Sequence, residues 1–293
     1  MRCKTAVRHL DRYRTGEISP KLESSLRGHL SDCAACAEEL QEIRRLAARL
    51  SFLAAPAPRN LVQEVLMQTM DKFGAIETRL GSVWIGFNTR GITMVYPGNH
   101  DAHGFLTAYL SRRFRTATPA AVPKVYADMV RKAATGEPLN RPRLDLDGLT
   151  PFEQKSLLLL LQIPRGEVRP YSWLAREIGN PKAARAIGTA MARNPVPLLL
   201  PCHRVVPAEG GVGNYAFGSA MKRALLKQEG VPVNELDSLA RSGVRYLGCK
   251  STGIYCFPTC RDARRMKPEN RMPFSDSGQA LESGYRPCQH CRP

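Results

Sequence analysis

The sequence predicts an α+β protein built from several domains. A length of 293 residues suggests about two or three of them. The apolar pattern switches along the chain, helical at first, β-like from Thr78 and helical again from Pro151. Cysteines gather in metal-like clusters near both ends, around Cys33-Ala-Ala-Cys36 and Cys288-Gln-His-Cys291.

An apolar content of 43% is ample for packed cores. The net charge of +17 is spread through the chain rather than held in a tail. It fits a polyanionic partner such as DNA, and it fits solvated surface charge as well. No apolar stretch approaches the roughly 18 residues that span a bilayer, so no membrane partner is expected. The N-terminal MRCKTAVRHLDRYRTGE is too polar for a signal-peptide core. Of nine cysteines, all but Cys249 fall in a cluster or at a candidate nucleophile, which argues for a reducing, cytoplasmic setting.

Residues 1–53 read as a small zinc finger of two or three short helices. His29-x3-Cys33-x2-Cys36 supplies three ligands, Cys3 the fourth, and His9 competes for that place. In the helix that follows, Leu40, Ile43, Leu46 and Leu50 share one face. Ala54-Ala55-Pro56-Ala57-Pro58 opens a linker over 54–75, because closely spaced prolines stop helices. Within it, 61–73 (LVQEVLMQTMDKF) is either a short helix or more linker. The run GSVWIGFNTRGITMVYPG is a hairpin that turns at Asn88–Gly91. Helices over 103–115 and 122–134 complete an α/β subdomain at 76–148.

Residues 149–233 form the next domain. A helix over 151–163 starts with Thr150 as cap and Pro151 just inside. Helices at 171–178 and 182–192 flank the turn Gly179-Asn180-Pro181, which outlines either a helix-turn-helix or a plain helical hairpin. The apolar run Leu198-Leu199-Leu200 then leads to Cys202, beside His203. A thiol becomes a good nucleophile when a base takes its proton, and Glu229 is placed to orient that base. A free cysteine is otherwise a small buried hydrophobe. In the last domain, 241–293, Cys256-x3-Cys260 and Cys288-x2-Cys291 pair four thiolates as a tetrahedral zinc site requires.

From Gly179 to Glu229 the chain reads GNPKAARAIGTAMARNPVPLLLPCHRVVPAEGGVGNYAFGSAMKRALLKQE. This closely resembles the O6-alkylguanine-DNA alkyltransferase family (methylated-DNA–protein-cysteine methyltransferases), PCHR signature included, over about Pro151 to Gly230. The resemblance implies a helical, winged-helix-like catalytic domain behind the α/β subdomain. Its partner would be double-stranded DNA carrying O6-alkylguanine. The alkyl group would pass to Cys202 after the nucleotide is flipped out of the stack. His203 and Glu229 would act as relay, Tyr215 would hydrogen-bond the leaving guanine, and Asn194 would hold the turn into the site. Tyr171, Ala183, Ala184, Arg185 and Gly188 match DNA-facing positions, with Arg185 filling the vacated stack. Ala216 stands where some members carry Ser, and Phe217 where side-chain bulk varies. The thioether product is stable and no methyl-donor cofactor signature is present, so a monomer that acts once is expected.

The stretch GIYCFPTCRDARRMKPEN…SGYRPCQHCRP resembles the zinc domain of Ada-type proteins. It implies zinc at the four cysteines, with Cys256 either a second methyl acceptor for DNA phosphotriesters or a purely structural ligand. Phe257 replaces the usual arginine, a loss that Arg261, Arg264, Arg265, Lys267 and Arg271 would offset. Residues 1–50, with Asp11-Arg-Tyr13-Arg-Thr-Gly16-Glu17, are similar to the zinc finger of anti-sigma factors, which implies a sigma factor or another protein as partner. Two zinc ions are thus expected. The rival reading is a damage- or redox-responsive regulator that binds a sigma factor or a lesion without repair as its main role. Between Gly230 and Gly243 there is no room for the AraC-like segment of Ada-type regulators, so direct promoter activation is not expected.

Overall fold

A computed structural model describes residues 1–51, 70–98, 100–139 and 142–293. They belong to two compact units, Met1–Gln68 and Thr69–Pro293. The proline-rich stretch 54–58 and most of 61–73 lie outside the described residues, as does the side chain of Leu50.

Among its described residues the first unit has four helices, where two or three were expected: α1 (Cys3–Val7), α2 (Leu10–Thr15), α3 (Pro20–Asp32) and α4 (Ala34–Ser51). Gly16 closes α2 at φ +76, a left-handed conformation that glycine adopts without cost, and Pro20 opens α3. Ala6, Leu10, Leu26, Cys36 and Leu40 form the core, with Ile43 half-buried against it. Leu46, expected on that same face, is 59% exposed. Among the described residues, this cluster takes in α4 only as far as Ile43.

The second unit begins with a sheet of order β3-β2-β1-β4, made of β1 (Asp71–Thr78), β2 (Gly81–Phe87), β3 (Ile92–Pro97) and β4 (Ala117–Pro119). The β2–β3 hairpin forms at the expected turn, where Asn88 Oδ1 accepts from the N–H groups of Arg90 and Gly91. A Cβ on Gly91 would come within 2.6 Å of the Arg143 carbonyl oxygen, so only glycine fits there. β1 takes up residues 71–75 of the linker expected over 54–75, and so the last three residues of 61–73; residues 54–69 lie outside the described residues. The strand buries one large apolar residue on each face, Phe73 on one and Ile76 on the other, too weak a signal beside the helical-looking run before it.

α5 (Ala102–Arg113) and α6 (Lys124–Ala134) pack on this sheet. α7 (Pro151–Leu158) continues as a 3-10 turn to Gln162. It starts in a capping box: Thr150 Oγ1 accepts from the Glu153 N–H at 3.2 Å, and the Glu153 carboxylate accepts from the Thr150 N–H at 2.9 Å. Thr150→Ala is expected to cost about 1 kcal/mol in urea unfolding.

α8 (Tyr171–Ile178) stops at Gly179, φ +89, and a 3-10 turn at Pro181–Ala183 leads into α9 (Ala184–Ala192). β5 (Arg169–Pro170) pairs in parallel with β6 (Val205–Val206). After α10 (Ser219–Gln228) and α11 (Val233–Arg241) comes a second sheet. It has the order β10-β8-β7-β9, from β7 (Tyr246–Cys249), β8 (Ile254–Cys256), β9 (Arg271–Phe274) and β10 (Arg286–Pro287). α12 (Arg261–Arg264) and α13 (Ser277–Glu282) flank it. One apolar cluster runs from Ile85 and Val130 through Trp173, Leu200 and Cys202 to Cys256, Phe257 and Cys291. Among the described residues, no helix is long and apolar enough to cross a membrane.

Candidate active site and metal centres

The chain enters the site through Asn194, just after α9. Asn194 Oδ1 accepts from the Val196 N–H at 3.0 Å, and Nδ2 donates to the Leu200 carbonyl at 2.8 Å and to Cys202 Sγ at 3.2 Å. One amide therefore closes the loop and touches the thiol. Leu198, inside that loop, is held at φ +73 while buried, a strained conformation for a branched residue. Cys202 opens a 3-10 turn that runs to Arg204. Burial pushes its thiol upward, against the Asn194 hydrogen bond and the positive charge of Lys222.

His203 Nε2 lies 2.9 Å from Glu229 Oε1, and Arg204 clamps the same carboxylate with Nε and Nη2, each at 2.8 Å. Burial favours a protonated Glu229, but hydrogen bonds from His203 and Arg204 outweigh it and hold the carboxyl down at about 2. Burial lowers His203 in spite of Glu229. An ionised Glu229 can only accept, so Nε2 carries the hydrogen and Nδ1 has the free lone pair. His203 Nδ1 is buried with no hydrogen-bond partner among the described residues.

A cavity of about 140 Å³ is lined by Tyr171, Gly188, Met191, Ala192, Cys202, Asn214, Tyr215 and Ala216. It brings the candidate nucleophile together with Tyr171, Tyr215 and Gly188, which come from α8, the loop before α10 and α9. The buried Tyr215 hydroxyl has no hydrogen-bond partner among the described residues by distance and angle, and burial, with Cys202 beside it, raises its titration well above the ordinary range. On α9, Arg185 is exposed and Ala184 half-buried. Ala183, grouped by sequence with the DNA-facing residues, turns into the core instead, because the chain is still in the 3-10 turn at that point.

Two site residues were not assigned roles from sequence. Arg204 orders Glu229, as above. Lys222 is 1% exposed, donates from Nζ to the Val205 carbonyl at 2.7 Å, and is drawn down to about 8 by burial. A lysine on the same α10 face as Leu225, Leu226 and Glu229 was the readable signal.

Both cysteine clusters assemble. Cys3, His29, Cys33 and Cys36 bring their ligand atoms within 4.8 Å of one another, and so do Cys256, Cys260, Cys288 and Cys291. His9 is not in the first set. The Cys3 and Cys33 sulfurs are 3.8 Å apart, the separation that two ligands about 2.3 Å from a tetrahedral zinc would have. His29 Nε2 is buried with no hydrogen-bond partner among the described residues, as a metal-directed nitrogen would be. Four buried free thiols form the second set. Both donor sets fit zinc. Cys36→Ser is expected to lower zinc from two ions per chain to one and to speed amide exchange across Met1–Ser51 at least tenfold, since so small a core needs its metal.

Residues 151–231 match the family model of the 6-O-methylguanine DNA methyltransferase DNA binding domain, and residues 236–293 that of the metal binding domain of Ada. The chain carries a methylated-DNA–cysteine methyltransferase domain joined to an Ada-type zinc-binding domain. The bifunctional transcriptional activator/DNA repair enzyme Ada of Escherichia coli is 34% identical over 163 residues, which cover 54% of this chain and 45% of that protein. The Homo sapiens methylated-DNA–protein-cysteine methyltransferase is 55% identical over 80 residues, 27% of this chain and 39% of that one. A Mycobacterium tuberculosis OGT solved in complex with DNA is 32% identical, with a TM-score of 0.46, over 54% of this chain and 92% of that one. The chain thus spans less than half the length of these two curated relatives.

In the Ada-type domain, Cys256 and Cys288 line a cavity of about 480 Å³ together with Arg265, Lys267, Arg286 and His290. Of the five cations expected to replace an arginine at position 257, only Arg265 and Lys267 reach it. Arg271 pairs with Glu235, Arg264 lies against Gly166, and Arg261 bonds His290. Arg286 was not foreseen. Cys249, the odd cysteine in the sequence, lines the cavity without joining the four ligands.

Proposed function

We propose that the chain is a single-turnover DNA repair protein of the cytoplasm that moves an alkyl group from guanine O6 in double-stranded DNA to Cys202. The observation that carries this reading is a buried thiol in one cavity with Tyr171 and Tyr215, backed by His203 and an ionised Glu229. The names of the human and bacterial relatives support the same chemistry.

In this reading Arg185 enters the stack, the damaged nucleotide swings into the cavity, and Tyr171 crowds its phosphate. His203 takes the thiol proton at Nδ1 through one water, and Glu229 stabilises the imidazolium. Sγ attacks the alkyl carbon, so that an S–C bond forms as the C–O6 bond breaks. The guanine gains one proton by way of the Tyr215 hydroxyl, which balances the proton lost by the thiol. Lys222 adds positive charge near the thiolate. No group regenerates the thiol, so one chain serves one lesion.

In the Ada-type domain, bound zinc would keep the four thiols ionised and ready to coordinate. Cys256 then serves as a second acceptor, for methyl groups on backbone phosphotriesters. Arg265, Lys267 and Arg286 on its cavity are suited to hold a phosphate. Residues 1–51 act as a zinc-held docking module of anti-sigma type, which offers the exposed Leu46 of α4 to a protein partner. A sigma factor that co-purifies with the chain and is lost on Cys33→Ser is the expected result; no partner under reducing conditions would remove that part of the reading.

The deciding experiment is one round of reaction with duplex DNA carrying both O6-methylguanine and methylphosphotriesters, followed by mass spectrometry of every cysteine peptide. Methyl on Cys202 is expected, and on Cys256 as well. An unmodified Cys202 would overturn the central reading and favour the regulatory one.

A further inference from the structure

The segment Glu167–Pro170 lies between the two zones of chemistry. On one side, Arg169 and Pro170 pair with Val205 and Val206, directly after the Cys202 turn. On the other, the Cys256–Cys260 knuckle is bonded to it. The Val168 N–H donates to Thr259 Oγ1 at 2.9 Å, the Thr259 hydroxyl donates to the Val168 carbonyl at 3.3 Å, and the Arg261 N–H donates to Glu167 Oε1 at 3.0 Å. Glu167, Arg169 and Thr259 are each at most 3% exposed, so these bonds form without competition from water.

Glu167 and Arg169 form a buried ion pair. The Arg169 guanidinium lies 5.4 Å from the Phe257 ring centre and 5.8 Å from that of Trp173. A second strap leaves the other knuckle. Arg292, next to Cys291, lies 5.6 Å from the Trp173 ring centre and bonds Glu177 at 2.9 Å, while its carbonyl accepts from Arg176. Trp173, Arg176 and Glu177 all belong to α8, whose first residue, Tyr171, lines the Cys202 cavity.

We infer that the four-cysteine domain is an intramolecular partner of the methyltransferase domain, and that Phe257, Thr259 and Arg292 are positioning residues for α8 and the Cys202 turn. The groups that grip Glu167–Pro170 come from residues that the Cys256 and Cys260 ligands fix, so the grip is only as well shaped as the loaded metal site. Repair at Cys202 is thereby tied to zinc at the other end of the unit. Position 257 holds a ring because it docks against Arg169 rather than facing DNA.

The rate arm of this inference rests on the proposed alkyl transfer; the docking arm does not. The test uses the full chain with Phe257→Ala and Thr259→Val combined, which keeps all four thiols, and zinc content is measured first. With two zinc ions retained, amide exchange at Val168 and across 173–178 is expected to rise at least tenfold and transfer to Cys202 to slow about tenfold. Phe257→Tyr with Thr259→Ser is expected to restore both. Unchanged exchange overturns the docking; faster exchange with an unchanged transfer rate overturns the link to repair. If the double variant loses zinc, Phe257→Ala alone is read in the same way. A wild-type chain that transfers nothing would sink the proposed function, while exchange still decides the docking.

Discussion

A Cys202→Ala variant takes up no alkyl group from O6-alkylguanine and still binds duplex DNA. No other thiol lines the cavity, so the loss is complete within detection rather than partial. The side chain removed is small, and Asn194 keeps its bonds to Leu200 and Val196, so stability changes by no more than about 1–2 kcal/mol. Labelled alkyl transfer and gel-shift titration check the two halves. Full transfer activity in the variant would mean that another residue is the acceptor. In the wild-type chain, burial holds the Cys202 thiol above its ordinary range. The transfer rate therefore rises with pH through neutrality and beyond, because the thiolate is the reacting form.

Glu229→Gln slows transfer by about 100-fold or more and destabilises the fold by about 3–5 kcal/mol at neutral pH. The amide leaves Arg204 without its counter-charge and the imidazolium without its partner. The sign of the pH dependence follows from the direction of the shift. The folded carboxyl titrates at about 2, against an ordinary 4.5. Its contribution is therefore full above about 4.5 and is lost as pH falls from there toward 2. Wild type and variant should differ most at pH 7 and converge only as pH falls to about 2, as measured by urea unfolding at each pH. An equal gap at both pH values would mean that Glu229 acts by shape rather than by charge.

Much of the site was legible because it is written in local spacing. Thr150 and Glu153 three residues apart make a capping box wherever a helix follows, and Gly179 ends α8 where the apolar period breaks. The cysteine pairs carry their own geometry. β1 was not legible, since each of its faces buries only one large apolar residue and its neighbours are β2 and the distant β4. Leu46 kept the helical period of Leu40 and Ile43, but period alone does not say how far a small core extends. Arg204 and Lys222 drew no role from the sequence, because only burial and their carbonyl partners set them apart from other cations.

The sequence by itself determined the candidate nucleophile, its neighbouring base, three candidate metal ligands near the start and four near the end, because these sit close together or in paired motifs; the choice of Cys3 over His9 fell to the structure. Only the tertiary structure decided that Glu229 is held ionised, that Ala183 turns inward, and that Phe257 docks rather than faces solvent. It also decided that the zinc knuckle grips the strand beside Cys202. Those properties depend on burial and on partners as far apart as Glu167 and Arg261, 94 positions along the chain. No local pattern encodes which distant group will arrive to satisfy a buried charge.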